Sequence, residues 1–193
     1  MDSELYRYSI PRPDGSHKVP SPAEIDEIAT TLGLKDTVAG RYSSLLVAQL
    51  FHWGIRDLGR PVGLVEEIAA LDQGRPGIMG FKSPDNAQSE STFRGPLLEG
   101  LKHHHFLDPE TFQYLLERAM HRGVPPNEVP RFFRAERERN RLTGDWLIYT
   151  EHGVTRYYLA LGRHGHDAFI HNAIVAHCGD EFPFLRALAF WPE

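Results

Sequence analysis

The feature that most constrains this chain is a change of hydrophobic period after Gly144. Upstream, apolar residues recur at helical spacing. Downstream come two runs rich in aromatic and β-branched residues, Trp146-Leu147-Ile148-Tyr149-Thr150 and Thr155-Arg156-Tyr157-Tyr158-Leu159-Ala160-Leu161. They flank Glu151-His152-Gly153-Val154, and the pattern reads as a β-hairpin over about 145–162. Alternation puts Arg156, Tyr158 and Ala160 on one face of the second strand and Tyr157, Leu159 and Leu161 on the other. Helices before the hairpin and one after it give the α+β class. The expected architecture is a helical N-terminal half packed on a small antiparallel β-sheet, with a C-terminal helix.

The helices have readable boundaries. Residues 1–20 hold three prolines and read as an extended arm. Ser21-Pro22-Ala23-Glu24 is a helix start, with Ser21 as cap and Glu24 completing a capping box. Ile25, Ile28, Ala29 and Leu32 form the stripe, and Gly33 ends it. A second helix is predicted from about Asp36 to Leu58, largely buried, and a short third around Leu64, Ile68 and Leu71. Residues 72–92 are turn-rich and polar, a long loop. Leu97, Leu98 and Leu101 lead into His103-His104-His105-Phe106. Thr111–Arg122 is helical, with Phe112, Leu115, Leu116 and Ala119 on one face and Gly123 closing it. Asn127–Arg141 reads as a charged, exposed helix, and the last helix spans about Asp167 to His177. The loop at 72–92 divides a helical region, 1–91, from an α+β region, 92–193, which carries the candidate catalytic residues; the two also fit one compact domain.

Composition narrows the function classes. The single cysteine, Cys178, permits no internal disulfide and reads as a small buried thiol in a reducing, cytoplasmic setting. No apolar run approaches the ~20 residues of a membrane span, so no membrane partner is expected. The net charge of −5 argues against coating nucleic acid by bulk electrostatics. Residues 1–91 and 164–193 are net acidic and 92–163 net basic, which leaves room for a local basic groove. The run Arg131, Arg134, Arg137, Arg139 and Arg141, broken by Glu136 and Glu138, reads as a solvated helix face, or else as a nucleic-acid or acidic-partner contact.

Two constellations carry chemistry. The first is Lys102-His103-His104-His105. On a strand His103 and His105 share a face and His104 turns away; on a helix end the run would complement the dipole. The second is Arg163-His164-Gly165-His166-Asp167, at a strand-to-helix junction where side chains and free N–H groups meet. Asp167 can serve as a helix cap or take part in catalysis. Histidine titrates near neutrality, so a pair can act as base and acid on an RNA phosphodiester while cations stabilise the phosphorane. The alternative is a metal site built from His164, His166, Asp167 and His171, whose spacing is compatible with ligation but matches no complete metallo-hydrolase string.

The run from Trp146 to Tyr149 and from Tyr158 through Gly162-Arg163-His164-Gly165-His166-Asp167-Ala168-Phe169 resembles the last two strands of the RelE/YafQ-type toxins. These are small metal-independent ribonucleases of the barnase-like clan. The resemblance covers about residues 145–169. It implies that His166 (or His164) matches the family's catalytic histidine and Phe169 its phenylalanine, and that the C-terminal half folds alike.

The leading expectation is therefore a ribonuclease toxin or effector, needing no cofactor, with RNA as substrate and a cognate inhibitor or other protein as partner. His104 (or a neighbour) and His166 act as base and acid, Lys102 and Arg156 hold the phosphate, and Tyr158 donates. His103, His105, Arg163, His164 and Phe169 bind substrate. The other expectations are a non-enzymatic interaction protein, phage- or toxin-system-related, and a metal-dependent hydrolase using the His164–His171 cluster.

Overall fold

The computed structural model describes residues 2–54, 59–75, 90–106, 109–129, 131–132, 135–136 and 145–192. It has the expected α+β class. Four strands, β3 (Glu90–Thr92), β4 (Lys102–Phe106), β5 (Asp145–His152) and β6 (Thr155–Gly162), form an antiparallel sheet in the order β3-β4-β5-β6. β5 and β6 are the predicted hairpin. A separate two-stranded ribbon, β1 (Ile10–Pro11) with β2 (His17–Lys18), lies near the N-terminus. The bulk of the loop expected over 72–92 lies outside the described residues, as does most of the arginine run at 131–141.

The helix α1 (Pro22–Thr31) starts as its sequence dictates. Ser21 Oγ accepts the Glu24 N–H at 3.3 Å, and the Glu24 carboxylate accepts the Ser21 N–H at 3.0 Å. Gly33, at φ 74°, ends it in the left-handed region that glycine enters without strain. The helix expected over 36–58 is instead two, α2 (Leu34–Val38) and α3 (Ser44–Gly54); residues 55–58 lie outside the description. The break has a tertiary cause. Arg41 C=O accepts the Tyr158 N–H and the Ser43 N–H donates to Tyr158 C=O, both at 2.9 Å. Residues 41–43 thus pair with the outer edge of β6 rather than continue the helix. The N-terminal arm is also corrected: Asp2–Tyr6 form a 3₁₀ turn, and Leu5, Tyr6 and Ile10 are buried.

Three further helices are α4 (Gly59–Asp72), α5 (Pro109–His121) and α6 (Asp167–His177). α4 lies against one face of the sheet, where Arg156 donates to Leu71 C=O and the Tyr158 hydroxyl to Ile68 C=O. α6 lies on the other. A Cβ added to Gly162 would sit 2.7 Å from Ile170 Cδ1 and 2.8 Å from Ile148 Cδ1, so glycine lets α6 approach β6 closely. One buried cluster contains Leu5, Leu34, Leu46, Ile68, Ile148 and Ile174, so side chains from both sides of the expected boundary share a core. Cys178 is buried in it, and burial pushes its thiol up to about 12. No helix among the described residues is long and apolar enough to cross a membrane.

The β5–β6 register contains a bulge. Ile148 pairs with Ala160 but Tyr149 with Tyr158, leaving Leu159 as the extra residue. The expected alternation therefore breaks there. Ala160 joins the face of Tyr157, and Leu161 joins that of Tyr158. The displaced carbonyl of Leu159 accepts the Ser43 hydroxyl at 2.5 Å.

Gln49 of α3 closes the same edge. Its side-chain amide is buried, accepts the Leu161 N–H at 2.7 Å, and donates to Leu161 C=O at 3.2 Å and Leu5 C=O at 2.9 Å. Gln49→Leu fills nearly the same volume but strands those backbone groups. It is expected to cost about 3 kcal/mol or more, since each buried orphan costs roughly 1–3 kcal/mol. Urea unfolding of the variant checks this; a midpoint within error of the parent's would contradict it.

Candidate functional site

Strand pleating decides which histidines meet. On β4, His104 lies opposite Leu147, while His103 and His105 lie opposite Ile148 and Trp146. His104 therefore shares the α4 face, and His103 and His105 share the other. His104 is fully buried, and its Nε2 lies 2.6 Å from the equally buried Glu67 carboxylate of α4. The imidazole and the carboxyl group share one hydrogen bond inside the core. This arrangement removes His104 from any solvent-reached base role and corrects the expectation that it pairs with His166.

On the opposite face a compact ring cluster forms. His103 is 7% exposed and packs 4.3 Å from Phe93 and 4.8 Å from Trp146, centroid to centroid. Its Nε2 lies 2.7 Å from Ser91 Oγ and 3.1 Å from His105 Nε2. The Trp146 indole N–H donates to His105 Nδ1 at 3.2 Å. His103 Nδ1 is buried with no hydrogen-bond partner among the described residues. Such an orphan costs roughly 1–3 kcal/mol. Burial, then the nearby His164 and His104, hold the His103 imidazole down at about 4 from its ordinary 6.5.

The second histidine segment arrives at this cluster. The His164 ring stacks on His105 at 5.7 Å and meets Trp146 edge-on at 4.1 Å. His164 is exposed and His105 half-buried. The two histidine-bearing segments, far apart in sequence, thus meet through His105 and His164, not through His104 and His166. His166 turns to the N-terminal segment instead. Its Nδ1 lies 3.1 Å from the Tyr6 hydroxyl, which also accepts the Arg163 N–H at 3.1 Å. Phe169, 51% exposed, stacks on Tyr6 at 5.8 Å with an interplanar angle of 13°. Arg163 pairs with Asp145 at 3.3 Å.

The other expected catalytic residues take structural positions. Tyr158 is fully buried, and burial pushes its phenol up, so it is no proton donor to a solvent-borne substrate. Arg156 donates to Leu71 C=O at 2.5 Å, pairs with Glu151 at 3.4 Å and lies over the Tyr149 ring. Lys102 pairs with Glu151 at 2.5 Å. These three belong to the α4 face, away from His103, His105 and His164. The metal alternative is also corrected. His164 faces Trp146, His166 faces Tyr6, and His171 Nε2 lies 3.0 Å from Phe190 C=O. With Asp167 they do not converge, and no metal-binding group of three ligands occurs among the described residues. Asp167 is not the cap either: His166 holds that position without a side-chain bond, and Asp167 opens the first turn, where its charge suits the dipole.

Sequence reasoning missed Ser91, Phe93, Trp146, Tyr6 and Glu67. Trp146 carried a signal as a strand residue, but only the β4–β5 register sets it beside His105. No protein-family model, curated protein or solved structure matches the chain.

Two stability outcomes follow from this geometry. Removing either partner of the buried His104–Glu67 pair, as His104→Leu or Glu67→Leu, is expected to cost about 3–5 kcal/mol, and the double variant less than the sum. Urea unfolding of the four proteins checks this; additive losses would contradict the coupling. His103 resists protonation when folded but binds a proton when unfolded. The unfolded chain therefore takes up more protons as pH falls from 6.5 toward 4, and stability drops across that window. His103→Gln is expected to flatten this decline between pH 7 and 4.5; equal declines in both proteins would count against it.

Proposed function

We propose that the surface formed by Arg163, His164, His166 and Phe169 cleaves RNA by histidine acid–base chemistry. His164, exposed and braced by His105 and Trp146, accepts the proton of the 2′-hydroxyl as that oxygen attacks phosphorus. The bond from phosphorus to the 5′-oxygen breaks, and His166 delivers a proton to the departing oxygen. The products are a 2′,3′-cyclic phosphate and a 5′-hydroxyl. Arg163 stabilises the extra charge on the phosphorane. Phe169, backed by Tyr6, offers a base an exposed aromatic face, a contact that suits single strands of any sequence.

The observation that carries this reading is the stacking of His164 on His105. It braces the exposed His164 imidazole against His105 and Trp146, while His166, two residues on, is held by the Tyr6 hydroxyl. The resemblance of residues 145–169 to RelE/YafQ-type ribonucleases points the same way, with Phe169 at the family's phenylalanine. A toxin or effector role, a cytoplasmic site of action and a cognate inhibitor belong to the same proposal, because a ribonuclease acting on cellular RNA needs restraint where it is made.

A second reading, a non-enzymatic interaction protein, draws on α5. Leu115 and Ala119 face inward there, while Leu116 and Met120, one turn apart, are 36% and 72% exposed. One assay separates the two readings. Purified protein is incubated with labelled RNA, with and without EDTA, beside His164→Ala and His166→Ala. Cleavage that survives EDTA and falls at least about 100-fold in each variant is expected, in line with the usual worth of one acid or base. Intact RNA under all conditions would sink the nuclease reading and leave the interaction protein.

A further inference from the structure

The hydrogen bonds of the ring cluster fix the positions of its protons. An indole N–H can only donate, so His105 Nδ1, which receives it from Trp146, carries no proton. A neutral His105 then holds its proton on Nε2. The partner of that nitrogen, 3.1 Å away, is His103 Nε2, which must accept. Ser91 Oγ, 2.7 Å from the same atom, is placed to donate to it as well. The opposite assignment would leave His105 with no proton on either nitrogen, an imidazolate, which a site of this kind does not support near neutral pH. His103 therefore carries its proton on Nδ1, the atom that is buried and without a partner.

We propose that Trp146 is a positioning residue that locks the cluster into one protonation pattern: His105 as the Nε2–H tautomer, His103 as the Nδ1–H tautomer, both neutral, with His164 the member that takes up a proton. The indole, a group that never titrates near neutrality, thereby makes a three-histidine cluster behave as one titrating site. The groups facing the cluster are consistent with this. His104 lies behind His103 from the other sheet face, where Glu67 holds it; His164 covers His105 from the β6–α6 turn; and the Arg163–Asp145 pair flanks that turn. Of the two carboxylates in that set, Glu67 already meets His104 and Asp145 already meets Arg163. The low-lying imidazole of His103 agrees with the same pattern. For catalysis the inference rests on the nuclease reading, since it explains why His164 is the proton acceptor; the tautomers themselves do not depend on that reading.

The test is side-chain ¹⁵N NMR of uniformly labelled protein between pH 5 and 8, with histidine signals assigned by single His→Gln variants. The expected result is one pure tautomer each for His103 and His105, of opposite kind, unchanged across the range, and a titrating His164. Trp146→Phe keeps the ring and removes the N–H; its folding is checked by circular dichroism. In it, His105 is expected to lose the single-tautomer signature and populate both forms. Wild-type His105 in the Nδ1–H form, or protonation of His103 above pH 5, would overturn the proposal. So would an unchanged His105 in folded Trp146→Phe. If the tautomers are as stated and RNA stays intact, the nuclease reading fails alone.

Discussion

The buried amide of Gln49 ties together the parts on which the rest depends. An outer strand of a sheet presents unpaired backbone groups, and β6 is such a strand. Gln49 satisfies Leu161 on both its N–H and its C=O, and with its second donor holds Leu5. Those two anchors define the candidate site. Leu161 is followed directly by Gly162, Arg163 and His164. Leu5 is followed by Tyr6, whose hydroxyl meets both the Arg163 N–H and His166. One side chain therefore sets the turn that carries the histidines and the N-terminal segment that supports it. The pairing of residues 41–43 with Tyr158 closes the rest of that edge.

The sheet then sorts the histidines by face. His104 goes under α4 into a dry hydrogen-bonded pair with Glu67, a position that serves stability and fold specificity rather than contact with a substrate. His103 and His105 go to the opposite face, where Trp146 and Phe93 enclose them. The cluster thus grades from a buried, neutral His103, through a half-buried His105, to an exposed His164. Such a gradient separates the imidazole that can exchange protons with solvent from those that cannot. Structural polar residues and chemically available ones are neighbours in sequence and opposite in environment.

Gly162 shows how packing and site share one constraint. Its missing Cβ leaves room for Ile170, so α6 settles close against β6. α6 begins at Asp167, immediately after His166, so its seating helps set where that imidazole stands. Phe169, in the first turn of α6, then reaches Tyr6 across the gap to the N-terminal segment.

What the sequence determined by itself was local. The change of period after Gly144 predicted the hairpin, Ser21 and Glu24 predicted the start of α1, and alternation gave His103 and His105 one face once the run is a strand rather than a helix end. Each depends only on neighbours a few residues away, where φ/ψ preference and side-chain direction are set. Tertiary structure decided the rest. The helix expected over 36–58 breaks because 41–43 find hydrogen bonds on β6, the arm at 1–20 is drawn down by Gln49 and the core, and the alternation of β6 is reset by the bulge at Leu159. The candidate site moved for the same reason. Tyr158 and Arg156 are polar residues on a strand with no local mark of burial, and α4 buries or engages them. Trp146 stands beside His105 only through the β4–β5 register, and His164 reaches both only because the β6 edge is pinned by a residue more than a hundred positions earlier. Long-range hydrogen bonds and register leave no periodic trace in one sequence, so they are legible only in the folded chain.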